Sequence, residues 1–527
     1  MRRIAIFLPL ICGFCLAAGI LLGSFIGRGN RRMGGNDSSD KIRAVLGYVQ
    51  ENYVDSVDTR KLTDNTLVAM LQSLDPHSDY FTAEQIQAMN EPLQGNFEGI
   101  GIEYNFVRDT LIVMSVIPGG PSEAAGLQAG DRLLRANDTL IVGKTANEKF
   151  VKSKLRGPSG TKVTVMIKRP TVASPFVVTI TRGSIPIFSV EASYMVDKET
   201  GYIRLSRFSE TSYDEFMKAS DSLMRSGMKK MILDLRGNGG GLLSAATDIA
   251  DEFLPEGKKI VYTKGRADGE NMTLATKKGR LEKMPLAILV DENSASASEI
   301  VAGAIQDNDR GTIIGRRTFG KGLVQEEKQL TDGSAFRLTI ARYYTPSGRC
   351  IQKPYDKGIA AYEDEESQRY KHGELLNRDS IHFPDSLKFK TPAGRTVYGG
   401  GGIMPDLFVP LDTAGGSEYL NNLFYKNVFT LWALDFSIAH KAELRAMGQE
   451  KYRREFQVTD AMLADLVNTA DKNGVKKDET QLRRSVPLIL RYMKANIARH
   501  IWGDAVYYEI WNDGDTVLTA AMEVLRK

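Results

Sequence analysis

Hydrophobic and polar positions change their period several times along the chain, and each change marks an element. Between Asp40 and about Asn90, the residues Ile42, Val45, Leu46, Val49 and Tyr53 recur at three- and four-residue steps, the spacing of helices with an apolar face. Short strand-like runs divided by glycine turns fill residues 95–183. From 184 to 412, strand-length apolar runs near 201–204, 230–235 and 286–290 alternate with helical stretches near 212–226, 242–253 and after 296. That alternation predicts an α/β unit. The unbroken apolar run Met231-Ile-Leu233 predicts a strand covered on both faces. Residues 413–527 read mostly helical, with Trp502, Tyr507, Tyr508 and Trp511 as core aromatics.

A chain of 527 residues exceeds one core and predicts three or four units. Residues 4–27 are uncharged and follow Arg2 and Arg3. The stretch can span a bilayer as a helix and is longer than a typical signal-peptide core, so a signal anchor is expected ahead of a cleaved signal. Arg28, Arg31 and Arg32 lie on the far side and leave orientation open. Ile11 and Phe14, which precede Cys12 and Cys15, are not the small residues of a lipobox. Cys350 is then the sole cysteine downstream, which excludes a disulfide within that part. The net charge of +4 is small for this length and gives no support for nucleic-acid binding. The five histidines, at 77, 372, 382, 440 and 500, have no metal-ligand spacing, and neither a metal nor a cofactor is expected.

The chemistry concentrates after the run at 286–290. A turn holding Ser294, Ser296 and Ser298 leads into a helical stretch, and Lys321 follows between Gly320 and Gly322. A serine hydroxyl is a weak nucleophile that needs a base. Lysine is a base only when desolvation or nearby positive charge lowers its pKa. A helix N-terminus offers free N–H groups to an oxyanion. The pair therefore points to acyl transfer, with peptide hydrolysis the leading reaction. Residues two apart on a helix do not share a face, so at most one serine serves, and physics alone does not choose. The glycine turn after Met231-Ile-Leu-Asp-Leu-Arg236 can turn bare N–H groups toward a ligand. No Lys-Ser/Thr pair follows it, as a phosphate-binding P-loop demands.

The string Ser294-Ala-Ser-Ala-Ser-Glu-Ile300, with Phe319-Gly-Lys-Gly322 and Gln325, resembles the carboxyl-terminal processing peptidases, or tail-specific proteases, of peptidase family S41. The resemblance implies Ser296 as nucleophile, Lys321 as base and Gln325 as the residue orienting that base. It also implies oxyanion donors from Ala297 and either Gly240 or Gly241, and an acidic position of some members at Asp307. Asp75-Pro-His-Ser-Asp-Tyr-Phe81 resembles a family signature and is read as a helix connection without chemistry. Residues 95–183 resemble a PDZ domain. Amides near Gly99 and Ile100 would hold a peptide carboxylate, and the peptide would add as a strand beside Gly101 and Ile102. Tyr343 to Gln352 matches a family strand and turn, but the expected Gly402-Ile-Met-Pro-Asp406 comes only after a polar stretch at 353–399, expected to be a loose surface loop.

The implied fold is a multidomain α+β or α/β chain. It comprises an anchor or signal segment and linker (1–35), a helical region (36–94), an inserted PDZ domain (95–183), a crotonase-like αββ protease core (184–412) and a helical C-terminal region (413–527). The implied function is a serine endopeptidase cleaving proteins near a recognised non-polar C-terminal tail. It would sit in the cell envelope, anchored in the cytoplasmic membrane and facing the periplasm or extracytoplasmic space. Implied partners are peptides with free C-termini and an adaptor or a second copy, but no nucleic acid. Two other classes stay open: a PDZ scaffold with an inactive or permanently gated core, and a crotonase-like coenzyme A enzyme.

Overall fold

In the computed structural model, residues 38–107, 110–143, 147–267, 269–277 and 279–527 are described, and they fall into two units that divide after Leu74. The first unit contributes two helices, Ser38–Asn52 and Thr59–Gln72; the Asp58 side chain caps the second by accepting the Lys61 N–H. Ile42, Val45, Leu46 and Val49 lie in the first helix and Tyr53 just beyond it, yet none of the helix's residues is buried. Residues 4–27 lie outside the description. Among the described residues no helix is long and apolar enough to cross a membrane.

The second unit is built on a six-stranded sheet in the order Val190–Met195, Thr200–Leu205, Lys230–Asp234, Leu286–Val290, Thr312–Gly315, Leu407–Phe408. The first pair is antiparallel and the remaining pairs are parallel. Strands 230–234 and 286–290 run through its middle, which is why their sequences are apolar without alternation. One face packs against the helices Ser212–Arg225, Leu243–Asp251 and Ala297–Asp307, with Phe208, Phe216 and Phe253 fully buried there. Each large side chain of that kind contributes about 1.5–3 kcal/mol of burial. The other face carries Ile232, Ala287, Leu289 and Ile314 and is covered by the helix Thr516–Arg526 through Val517, Leu518 and Ala521. The region read as one helical block from 413 onward therefore divides. Its helices from Glu418 to Trp511 bury a cluster of their own, in which Tyr492 stacks on Trp511 and Tyr452 lies against Trp502, while the last helix belongs to the sheet.

A second sheet stands beside the first. Its long strand Ala335–Tyr344 pairs with Leu323–Gln329, with Lys259–Gly265 and with the short strand Asp79–Phe81. A third, antiparallel sheet runs Ile102–Val107, Thr110–Val116, Arg132–Ala136, Lys162–Lys168, Phe176–Thr181 around its own core of Leu111, Val113, Leu133, Val165 and Ile180. Asn96–Gly99 pairs with Gly183–Pro186, so the chain enters and leaves this third sheet side by side.

The polar stretch 353–399 departs from the expected loose loop. It forms the helix Ile359–Lys371, with Tyr362 and Arg369 buried, and a hairpin of Lys388–Lys390 and Thr396–Tyr398. Part of its polarity serves ion pairs, Glu365 and Glu374 with buried Arg317, Lys353 and Arg369, while Glu363, Asp364 and Glu366 stay exposed.

Candidate active site

The turn after the strand Leu286–Val290 spends two of its three serines on structure. Ser294 is fully buried and its hydroxyl donates to the Leu235 carbonyl at 2.8 Å. Ser298 is fully buried and donates to the Asn238 carbonyl at 2.8 Å. Ser296 is half-buried; its hydroxyl faces the Glu299 N–H in a capping box and donates to no group among the described residues. Its backbone sits at φ 55°, ψ −113°, outside the basins that L-residues favour. Such a conformation costs on the order of 1–3 kcal/mol and survives only where surroundings enforce it.

The enforcing groups are Glu299 and Tyr343. Glu299 is fully buried, and its carboxylate accepts four donors: the Ser296 N–H at 2.8 Å, the Lys321 N–H at 2.9 Å, the Gly320 N–H at 2.8 Å and the Thr318 hydroxyl at 2.6 Å. One side chain thus ties the serine turn to the lysine turn. Burial pushes its pKa up to about 7 against the pull of those four donors. The Tyr343 hydroxyl lies between the carbonyls of Ser296, at 3.1 Å, and Lys321, placed to donate to either.

Lys321 leads into the strand Leu323–Gln329. Its Nζ donates to Gln325 Oε1 at 3.3 Å, and the Gln325 amide donates in turn to the His77 carbonyl. Burial lowers the pKa of Lys321 and the Arg337 guanidinium lowers it further, while Glu299 and Asp75 oppose. The segment read as a plain connection therefore backs the lysine. Asp75 accepts from the His77 and Ser78 amides and from the Thr339 hydroxyl, which fixes the turn against the strand Ala335–Tyr344. His77 Nε2 meets the Tyr362 hydroxyl at 2.8 Å. Burial, then Lys321, holds the imidazole down at a pKa of about 4, so it is neutral at physiological pH.

The glycine turn comes to the same place from Lys230–Asp234. A Cβ on Gly240, whose φ is 101°, would lie 2.8 Å from the Ser296 Cβ, so only glycine fits. The Gly240 N–H is committed to Asn238 Oδ1 at 2.9 Å, and its carbonyl accepts the Phe208 N–H. The Gly241 N–H has no partner among the described residues, nor does that of Ala297 in the first turn of its helix. Of the two glycines left open by the sequence, Gly241 thus has the free donor. Ser296, Ala297, Gly241, Lys321, Gln325 and Tyr343 line one cleft of about 490 Å³, which Glu210, Glu327 and Arg337 extend.

Asp307 does not join this cleft. It ends the helix that Ser296 begins, about 15 Å along the axis, and it is buried against Arg349 at 2.7 Å and the Ser347 hydroxyl at 2.6 Å. Its carboxylate fixes the turn after Tyr344.

A second groove of about 380 Å³ lies on the third sheet, between the strand Ile102–Val107 and the helix Glu148–Leu155, lined by Phe97, Ile100, Gly101, Ile102, Leu155 and Arg156. The Ile100 and Gly101 carbonyls are taken by the Ser122 and Ile117 amides, while the Ile100 and Gly101 N–H groups have no partner among the described residues. The Arg156 guanidinium at the groove's end stacks over Phe97 and pairs with Glu91. Gly99 lies in the strand that enters the sheet, paired with Gly183.

A serine turn, a desolvated lysine and free amides thus share one cleft, and the class of the protein comes from its relatives. Residues 199–361 match peptidase family S41, residues 112–169 match the PDZ domain, and residues 419–503 match a family of unknown function (DUF8443). The chain is 40% identical over 313 residues to a carboxy-terminal-processing protease of Bartonella bacilliformis, covering 58% of this chain and 71% of that one. It is 34% identical over 349 residues to the carboxy-terminal processing protease CtpA of Bacillus subtilis, covering 66% and 73%. A solved photosystem II D1 C-terminal processing protease aligns at 25% identity with a TM-score of 0.37, over 71% of this chain and 87% of that one. The chain belongs to the carboxy-terminal processing proteases of peptidase family S41 and is a serine-type peptidase that carries a PDZ domain.

Glu299, Tyr343 and His77 are the site residues that sequence reasoning missed as such. Glu299 stands in the quoted motif at the third position after Ser296, where a capping-box acid stands; that spacing was the available signal.

Proposed function

We propose that the protein cleaves polypeptides near a free C-terminal tail with Ser296 as nucleophile and Lys321 as base. The observation that carries the reading is that Ser296, alone of three neighbouring serines, donates its hydroxyl to no carbonyl, on a strained turn that Glu299 joins to the turn of a desolvated lysine. Lysine must be neutral to accept a proton, and burial favours that form. Ser296 Oγ attacks the peptide carbonyl carbon as its proton passes to Lys321 Nζ. The C–N bond then breaks and the proton goes to the leaving amine; water, deprotonated by the same lysine, attacks the acyl carbon, the C–Oγ bond breaks, and the proton returns to Ser296 Oγ. The amides of Gly241 and Ala297 face the oxyanion, and Gln325 holds the lysine. The core is of the crotonase-like αββ type.

The third sheet holds the substrate tail. Amides of Ile100 and Gly101 receive its carboxylate, apolar Ile100, Ile102 and Leu155 receive its last side chain, and the tail adds as a strand beside Ile102. Residues 4–27 anchor the chain in the cytoplasmic membrane with its catalytic part outside, in the cell envelope, where an adaptor or a second copy assists. Incubation with a fluorophosphonate and peptide mapping tests the assignment: the adduct is expected on Ser296 and on neither neighbour. An unlabelled, peptide-inactive protein would instead favour the gated PDZ scaffold.

A further inference from the structure

We propose that the helix Ile359–Lys371 splints the lysine turn, and that Arg369 is a positioning residue for Lys321. The inference rests on the Ser296/Lys321 reading above. Arg369 is almost wholly buried, and its guanidinium donates to two consecutive carbonyls, Arg317 O at 2.7 Å and Thr318 O at 3.1 Å. These are the last peptide units before Phe319-Gly-Lys321. The same Thr318 gives its hydroxyl to Glu299 and accepts the Ile403 amide at 2.6 Å. A planar fork that serves two carbonyls at once fixes an orientation that a point charge cannot.

The helix reaches Lys321 by a second route. Its Tyr362 hydroxyl meets His77 Nε2, the His77 carbonyl accepts the Gln325 amide, and the Gln325 oxygen accepts Lys321 Nζ. Beneath the turn, the buried Lys353 ammonium lies over the rings of Phe319, at 3.9 Å, and Tyr362, at 4.2 Å, and bonds the Tyr362 carbonyl and Glu365. Arg317 pairs with Glu374 and Glu365 in the same cluster. Buried ion pairs of this kind are weak sources of stability, because desolvation offsets their attraction. Their geometry here serves placement: Arg369 holds the carbonyls of residues 317 and 318, and Lys353 contacts Phe319 and the carbonyl of Tyr362.

The groups that face the lysine are Glu299 from the serine helix, Asp75 and His77 from the turn before the strand Asp79–Phe81, and Arg337 from the strand Ala335–Tyr344. None of them is altered by a change at Arg369, so a shift in the titration of Lys321 reports its displacement. Misplacing a reacting group by about 1 Å costs on the order of a hundred-fold in rate.

The test uses the full chain with Arg369→Ala, Arg369→Lys and Tyr362→Phe. Cleavage of an unstructured peptide is measured from pH 6 to 10 and referred to active sites titrated with fluorophosphonate. For Arg369→Ala the expectation is a roughly ten- to hundred-fold lower kcat, KM within two-fold, an acid limb moved to higher pH as water reaches Lys321, and partial rescue by millimolar guanidinium. Arg369→Lys keeps the charge and is expected to recover less than half of the loss. Tyr362→Phe, which removes one hydroxyl, keeps the proposal testable if Arg369→Ala fails to fold; a two- to five-fold loss with the same direction of pH shift is expected. Wild-type kcat and pH midpoint per titrated site in the variants that fold would overturn the splint, as would a loss explained wholly by the unfolded fraction. Failure of the underlying reading looks different: the wild-type protein would show no adduct at Ser296, and Ser296→Ala would still cleave.

Discussion

The carboxylate of Glu299 accepts the backbone N–H of Lys321 at 2.9 Å, from a residue three positions beyond the serine that Lys321 is proposed to deprotonate. The same oxygen accepts the Ser296 N–H at 2.8 Å. Two chain segments separated by a strand and a helix are thus referenced to one buried atom. Placement of the pair depends on a group that touches neither reacting atom.

Glu299→Gln keeps the size of the side chain but replaces one accepting oxygen with a donating NH₂, opposed to two of the four donors. Hydrogen bonds to a charged group are worth about 1.5–3 kcal/mol, so a ten- to hundred-fold lower kcat is expected, with KM little changed. The variant also carries a stability signature. The folded-state pKa of Glu299 is raised, so the wild-type protein loses stability as pH rises from the ordinary glutamate value through about 7, where the ionised form must be kept buried. The variant is expected to lack that slope. Equal slopes in denaturant titrations of the two proteins at pH 5 and pH 8 would show that the carboxyl is not shifted.

Arg337 is the positive group that adds to burial in lowering the pKa of Lys321. Arg337→Gln removes that charge and leaves Glu327, its partner at 3.1 Å, without its cation. Both changes favour the protonated lysine. The acid limb of the pH–rate profile is therefore expected to move to higher pH, with the plateau rate nearly kept. A limb that moves to lower pH, or stays, would count against Lys321 as the titrating base.

The tail-binding proposal predicts that the free carboxylate matters. Matched apolar peptides ending in an acid or an amide differ in the group that the Ile100 and Gly101 amides receive. By the same energy range for charge-assisted bonds, affinity is expected to fall about ten- to a hundred-fold on amidation, measured on the full chain with Ser296→Ala to prevent cleavage. Equal affinities would remove tail recognition and leave the serine and lysine assignments untouched.

Residues 4–27 predict that the full-length protein fractionates with membranes and resists carbonate extraction, with the catalytic part open to protease added to spheroplasts. A soluble mature form starting near residue 28 would identify the segment as a cleaved signal instead.

Much of the site was legible because local sequence dictates it. Met231-Ile-Leu-Asp-Leu235 and Leu286–Val290 are apolar without alternation, and they lie in the middle of the sheet. The serine turn and the Gly320-Lys-Gly322 turn are short motifs at the ends of such elements. What escaped depends on long-range contact. Nothing local in Asp75-Pro-His-Ser78 announces that the His77 carbonyl will hold Gln325. The acidic composition of 353–399 suggested solvent, whereas Glu365 and Glu374 face buried Arg317, Lys353 and Arg369. Charge on a linear chain does not reveal whether its partner is water or another side chain. The choice between Gly240 and Gly241 turns on one hydrogen bond, donated by the Gly240 N–H to Asn238 Oδ1, again invisible without coordinates.

Ser296, and neither neighbouring serine, is proposed as the nucleophile. Turnover of one peptide by Ser294→Ala, Ser296→Ala and Ser298→Ala, each normalised to folded protein, tests it most directly. Ser296→Ala is expected to lose roughly a thousand-fold or more. Ser298→Ala gives up one buried hydrogen bond and Ser294→Ala the bonds of its hydroxyl to Leu235 and Asp291, each worth about 0.5–1.5 kcal/mol of stability; both are expected to keep most of their activity. A Ser296→Ala protein that cleaves at the wild-type rate would contradict the account.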